Sequence, residues 1–203
     1  LAVYNIKGGV GKTATAVNLG YLAAQSGLRT LLWDLDPQAA ASFYFRVKPK
    51  VRGVRKLFQR KRALEDAIKA TDFEGLDLLP ADFAYRHLDL MLDRGGKGSR
   101  RLQKLLIPTA ADYDLVVLDC QPSISLVSEN IFQAADAIVT PTIPTTLSLR
   151  TLEQLLDFFT AQRIETPVYA FFSMTDRRKR LHQESMQAPL DARAQRLVAF
   201  VPY

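Results

Sequence analysis

Ala2-Val3-Tyr4-Asn5-Ile6-Lys7-Gly8-Gly9-Val10-Gly11-Lys12-Thr13 decides how the rest of the chain is read. A short apolar run enters a glycine-rich turn, which ends in Lys-Thr and passes straight into a helical pattern. The layout is a phosphate-binding loop, G-x-x-x-x-G-K-[ST], with one departure. The first glycine position holds Lys7, and the glycines stand at 8, 9 and 11. A second lysine therefore accompanies the expected Lys12. The glycines permit backbone angles that side chains forbid, so several N–H groups can turn toward one anion. The helix beginning near Lys12 aims its positive end at the same point. In such a loop Lys12 reaches the β- and γ-phosphates of a nucleotide, and the Thr13 hydroxyl ligates Mg²⁺.

Outward from the loop, short β runs alternate with amphipathic stretches. That alternation predicts an α/β fold of the P-loop NTPase kind, a mostly parallel twisted sheet with helices on both faces. Strands are expected at about 2–5, 30–34, 76–80, 115–119, 137–140, 168–172 and 197–201. Helical patterns cover about 12–26, 99–111, 123–135, 146–163 and 180–194.

With 203 residues and 48% apolar content, the chain can bury one substantial core, and a single domain over 1–203 is expected. No apolar run reaches the roughly 20 residues that span a bilayer, so no stable membrane insertion is expected. A strand and a functional loop stand where a signal peptide would. The single cysteine, Cys120, excludes an internal disulfide and suits a reducing cytosol. The chain starts without Met and halts at Val201-Pro202-Tyr203, so both ends are expected to be trimmed.

Charge is uneven. Arg46, Lys48, Lys50, Arg52, Arg55, Lys56, Arg60, Lys61 and Arg62 follow one another with no acid among them. They exceed the whole net charge of +6, so the remainder of the chain is net acidic. Residues 43–64 break in composition from their surroundings and read as an insertion or flexible connection. The basic block is either a phosphate-binding patch for nucleic acid or an anionic membrane, or a solvated surface loop.

Two further stretches carry carboxylates. Asp34-Leu35-Asp36-Pro37-Gln38 closes the second strand, and in an open parallel sheet ligands sit beyond the carboxyl ends of strands. One aspartate can hold a Mg²⁺-bound water while the other positions an attacking water. Without the loop, the pair would read as an ordinary Asp-Pro turn. Leu115-Val116-Val117-Leu118-Asp119 is the Walker B pattern, four apolar residues and an acid that holds Mg²⁺ through its water shell.

Taken together, Lys7 to Thr13, Asp34 to Gln38, and Asp119 with Pro122-Ser123 resemble the deviant-Walker ParA/MinD ATPases, with the small ParA partition ATPases nearest. Gly75 to Ala81, Ala135-Asp136 and Asp176-Arg177-Arg178 also look like segments of that family. The resemblance implies a homodimer that sandwiches two ATP molecules, hydrolyses them slowly and works as a timed switch. It assigns Lys7, Gly8, Gly9, Val10, Gly11, Lys12, Thr13, Ala14 and Pro202 to ATP or ADP, with Pro202 near adenine. Thr13, Asp34 and Asp119 would serve Mg²⁺, and Lys7, Lys12 and Asp36 catalysis. Lys7 matches the signature lysine that reaches the partner's phosphates, and Asp36 the residue that orients water. The family further implies non-specific DNA binding by the ATP dimer, a ParB-like or adaptor partner that stimulates hydrolysis, and a cytoplasmic, nucleoid-associated location. Arg177, Arg178, Lys179 and Arg180 are the DNA-contact candidates. Gln121 stands where the family usually has proline or a small turn residue, and Ser173-Met174-Thr175 replaces an Asn-containing segment near the base.

The rival within the family is a membrane-associated positioning ATPase of the MinD or flagellar-regulator kind. A metabolic enzyme on the same loop is the rival outside it, and one cysteine does not suit the cluster-bridging reductases. His87 and His182 lack a second ligand at metal spacing, and Cys120 has no histidine placed to activate it.

Overall fold

The computed structural model describes residues 1–59, 63–93, 100–188 and 190–202. Among these residues eight strands form one sheet: β1 (Ala2–Val3), β2 (Thr30–Asp34), β3 (Lys69–Ala70), β4 (Leu76–Leu79), β5 (Leu115–Asp119), β6 (Ile138–Thr142), β7 (Val168–Thr175) and β8 (Ala194–Pro202). Their spatial order is β3-β4-β2-β5-β1-β6-β7-β8, with every pairing parallel except the short edge strand β3 against β4. The helices are α1 (Lys12–Gln25), α2 (Ala40–Tyr44), α3 (Val54–Phe58), α4 (Leu88–Asp93), α5 (Arg101–Ala110), α6 (Leu126–Ala134), α7 (Thr146–Gln162) and α8 (Arg180–Gln187). This is the P-loop α/β architecture that the alternation implied.

Both faces of the sheet are covered, because successive strand residues point to opposite sides. On one side Leu31, Trp33 and Leu118 join Leu102, Ile131, Phe132, Leu152 and Leu155 from α5, α6 and α7. On the other, Leu32, Leu76, Leu78 and Val117 meet Ala16 and Ala24 of α1. At Gly20 α1 lies against β2 and β4, where a Cβ would make ordinary contact with Leu76 Cδ1 at 3.5 Å. No helix among the described residues is long and apolar enough to cross a membrane.

Some expected bounds shift for physical reasons. The helix expected over 180–194 ends at Gln187, and Ala188 is already extended (ψ 145°) before Pro189, since a following proline disfavours helical backbone. The chain then turns on Asp191, which accepts from Arg193 N–H at 2.9 Å, and β8 starts at Ala194, earlier than 197. Residues 43–59 are built into the fold: α2 ends and α3 forms there, and Phe45, Val51, Val54, Leu57 and Phe58 are buried. Arg60, Lys61 and Arg62 lie outside the described residues, as does Tyr203. Short amphipathic α4 follows a one-turn segment, Phe83–His87, and gave too little periodicity to read.

Candidate functional site

Strand order places β1 between β5 and β6, so the carboxyl ends of β1, β2 and β5 converge where the connections diverge. The loop between β1 and α1 sits there. Gly9 (φ 71°) and Gly11 (φ 93°) are left-handed, which a side chain rarely tolerates, and Gly11 is the N-cap of α1 without a side-chain cap. The first N–H groups of α1 thus face the loop with no side-chain acceptor at the cap, the setting in which an anion binds. A Cβ at Gly8 or Gly9 would meet nothing within 4 Å, so the loop's outer face is open.

Four side chains hold that shape. Asn5 accepts from Lys7 N–H at 2.9 Å and donates to the Pro141 carbonyl at 2.9 Å, tying the loop to β6. Ser173, near the end of β7, donates to the Val10 carbonyl at 2.7 Å. Lys12, buried, donates across the turn to the Lys7 carbonyl at 2.9 Å. Thr15 Oγ1 donates to the Gly11 carbonyl at 2.7 Å. The Asn5 and Ser173 roles were invisible in the sequence, because each depends on which strand lies beside β1 and α1. Ser173 touches the phosphate loop, where its position had been read against the base. Burial pushes the Lys12 ammonium below its ordinary value, while Asp119 and Asp36 pull it back up.

Asp34 and Asp119 are register partners on β2 and β5, and both are fully buried. Their surroundings differ. Asp34 accepts from Ser42 N–H at 2.8 Å, from the Ser42 hydroxyl at 2.7 Å and from Asp36 N–H at 3.2 Å. Burial raises its carboxyl above the usual range, and those hydrogen bonds restrain the rise. Asp119 has no hydrogen-bond partner on either oxygen among the described residues. Its carboxyl is pushed up to about 7, first by burial and then by the Asp34 charge. Thr13 and Lys12 pull the other way, although Thr13 is not in hydrogen-bond geometry. An orphaned buried carboxylate beside a phosphate loop is a donor waiting for a cation or its water shell. Among the described residues no three His, Cys, Asp or Glu cluster as a complete metal cage. Mg²⁺ commonly takes one or two protein oxygens and completes its shell with phosphate and water.

Ser42 was not anticipated. Besides bonding Asp34, its hydroxyl accepts from Ala81 N–H at 2.9 Å, linking β2, α2 and the end of β4 in one buried chain. Ser42→Ala leaves the Ala81 N–H and one Asp34 lone pair unsatisfied, at a cost of about 1–3 kcal/mol for a buried group. A fall of at least about 1.5 kcal/mol in urea unfolding is expected. A midpoint unchanged from wild type would show that water replaces the hydroxyl.

The two loop lysines face different ways. Lys12 is enclosed in its own loop, whereas Lys7 is half-buried at the rim and its Nζ donates to Ser148 Oγ in α7 at 3.3 Å. Asp36 is half-buried beside the same opening and accepts from Gln38 N–H at 2.9 Å, fixing the turn. Ala14 is exposed on the first turn of α1. Pro202 ends β8 exposed and in register with Thr175 of β7.

Arg177, Arg178 and Lys179 in the turn after β7, and Arg180 at the start of α8, are all exposed. Arg178 pairs with Asp176 at 3.0 Å and Arg180 with Glu184 at 2.6 Å, so part of that charge is answered locally. His182 is buried and its Nδ1 accepts from Asp176 N–H at 3.0 Å, shaping this turn. Cys120 is fully packed, and burial drives its thiol far above the ordinary value, against a nucleophilic role. Within the basic block, Val47 N–H donates to the Ser42 carbonyl at 3.0 Å and Val51 N–H to Asp82 at 2.8 Å. Lys48, Lys50 and Arg52 are thereby held with Lys69 around a cleft of about 360 Å³. Phe43 and Tyr44 are exposed on α2, and Phe45 alone of the three packs inward.

The AAA_31 family model, described as an AAA domain, matches residues 1–167, which include the loop, Asp34, Asp36 and Asp119. The chain belongs to the ParA/MinD family. Among its ParA relatives, the sporulation initiation inhibitor protein Soj of Bacillus subtilis is 35% identical over 159 residues, covering 77% of this chain and 63% of Soj. The chromosome partitioning protein ParA of Caulobacter vibrioides is 36% identical over 160 residues, covering 77% and 60%. This ParA/MinD chain therefore spans about 60% of the length of these two relatives. A crystal structure of cobyrinic acid a,c-diamide synthase from Mycobacterium smegmatis with bound ADP and magnesium superposes with a TM-score of 0.86 at 28% identity, over 99% of this chain and 85% of that one.

Proposed function

We propose that the chain is the ATPase core of a switch for DNA partition or cargo positioning, which dimerises around Mg·ATP and binds DNA without sequence preference in that state. The observation that carries the reading is the division of labour between the two loop lysines. Lys12 is buried and bonded within its own loop, while Lys7 is half-buried at the open rim, its ammonium on the Ser148 hydroxyl at 3.3 Å.

In this reading the loop amides from Gly8 to Thr13, with Ala14 at the start of α1, cradle the phosphates. Lys12 neutralises the phosphates from the same subunit, and the Pro202 region borders adenine. Thr13 and Asp119 would hold Mg²⁺, with Asp34 fixing the strand end behind them; the ion would supply charge neutralisation on the phosphates. Asp36, on its fixed turn, orients the attacking water. Lys7 enters the neighbouring subunit's site, where a cation stabilises charge developing on the transferred phosphoryl group. The family relationship supports a ParB-like or adaptor protein as the stimulating partner and a nucleoid-bound, cytoplasmic life. Arg177, Arg178, Lys179 and Arg180 of two aligned subunits would meet DNA phosphates, giving steep salt dependence.

The test is retention of plasmid DNA with ADP, ATP or a slowly hydrolysed ATP analogue. Retention is expected only with ATP or the analogue, and should be lost between 50 and 200 mM salt, roughly the range over which phosphate contacts weaken. Retention that ignores the nucleotide would overturn the switch.

A further inference from the structure

Part of the basic block lines a cleft that the phosphate loop does not use. Lys48, Lys50 and Arg52, from the segment after α2, stand around its volume of about 360 Å³ together with Asp66 and with Lys69 of β3. Four cations thus face one carboxylate. Arg52 and Asp66 already have partners. Among the described residues no acid pairs with Lys48, Lys50 or Lys69, and all three are exposed. Hydrogen bonds hold both walls. On one, Lys50 N–H donates to the Lys48 carbonyl at 2.8 Å, between the bonds that tie Val47 to Ser42 and Val51 to Asp82. On the other, Ile68 N–H donates to the Glu65 carbonyl at 3.2 Å, and Lys69 pairs with Leu78 of β4. Val51 and Ala67 also line the cleft and are buried, so its base belongs to the packed core.

Like charges gathered on one concavity repel, and an anion seated among them relieves the repulsion. The volume lies at the lower end of those that small ligands fill. A DNA duplex is convex and would meet the rim of such a cleft without entering it. Lysines act as separate point charges, without the planar fork that matches a single carboxylate. Three of them beside Arg52 suit a compact group with several charged oxygens. The cleft is also remote from the nucleotide loop. β3 is at the edge of the sheet, and β4, β2 and β5 lie between it and β1, about 19 Å at ordinary strand spacing. We infer that this cleft is a second anion site, which takes a compact polyphosphate: a small molecule bearing two or three linked phosphate groups. The site goes beyond the switch reading and does not depend on it.

Isothermal titration of inorganic tripolyphosphate into the chain tests it, with the phosphate loop first saturated with Mg·ADP. One saturable site is expected, with a dissociation constant below about 0.1 mM at moderate salt. Lys50→Ala and Lys69→Ala, on opposite walls, should each weaken it at least about fivefold, the low end for a charge-assisted hydrogen bond at an exposed position. Lys48→Ala serves in place of Lys69→Ala if the edge strand suffers. Lys104→Ala removes an exposed lysine of α5, outside the cleft, and should bind as wild type. Absence of a saturable site overturns the inference. So does an equal loss in Lys104→Ala, which would mean diffuse attraction to a basic surface. A short DNA duplex and vesicles of phosphatidylglycerol form the other arms. Retention of either that falls in Lys50→Ala, with no tripolyphosphate bound, would give the lysines to a nucleic-acid backbone or a lipid headgroup and overturn the compact ligand.

Discussion

Lys7→Ala is expected to leave nucleotide binding by the single chain nearly intact and to abolish the nucleotide-driven dimer. The cradle of Gly9, Gly11 and the first turn of α1 does not depend on the Lys7 side chain, because Asn5 holds Lys7 through its backbone N–H. Lys12 reaches into the same loop from α1 and would keep its phosphate contact. What would be lost, on the proposed reading, is a charge delivered to the facing subunit. Truncating one member of a buried charge pair across an interface costs about 2–5 kcal/mol. A two-fold dimer contains the contact twice, so the loss is doubled. About 4 kcal/mol, the low end, already weakens association roughly a thousandfold. Lys12→Ala should do the reverse, removing binding in the monomer and with it everything downstream. Isothermal titration with the analogue and sedimentation at matched concentrations separate the two variants. If the Lys7→Ala dimer formed within tenfold of the wild-type threshold, the trans assignment would be wrong.

How much of this was legible in the chain follows from what kind of information each residue carries. The loop was readable because its meaning is local: Gly9 and Gly11 take left-handed angles for reasons internal to the turn, and Lys12 follows directly. β2 and β5 were readable to the residue because each is a continuous apolar run ended by an aspartate. Their pairing, which sets Asp34 beside Asp119, was not in either run. It comes from strand order. Ser42, Asn5 and Ser173 belong to the same class, since each acts on a segment that only the fold brings near. The stretch 43–59 misled for another reason. Its charges dominate composition, yet Val51, Val54, Leu57 and Phe58 alternate between them and face the core beside Trp33 and Tyr85. A basic surface and a buried seam occupy one segment, and counting charges sees only the first.

Asp119→Asn should stabilise the metal-free protein while removing its response to Mg·nucleotide. The wild-type carboxylate is fully buried with both oxygens unpartnered among the described residues, and its carboxyl sits at about 7. An unfolded aspartate titrates near about 3.9. Between roughly pH 4 and pH 7 the folded chain therefore holds a proton that the unfolded chain has released. The unfolded state binds fewer protons there, so this group's contribution to stability falls as pH rises through that window and levels off above it. At pH 8 the ionised side chain costs the metal-free fold on the order of 1–4 kcal/mol, discounted for solvent reaching the open loop. Asparagine has nearly the same shape without the charge, so the variant should melt higher at pH 8 in EDTA, and the gap should close toward pH 4. With Mg·ATP at about 100 times its dissociation constant, wild type gains about 2.7 kcal/mol by linkage, and the variant should gain much less. Calorimetric scans of both proteins, at two pH values and with or without Mg·ATP, check all of this. A variant that melts no higher at pH 8, or that keeps the full Mg·ATP shift, would deny Asp119 the metal role. General damage to the site lowers both quantities together. A rise in one and a fall in the other would mark a carboxylate kept costly for the ion it is proposed to hold.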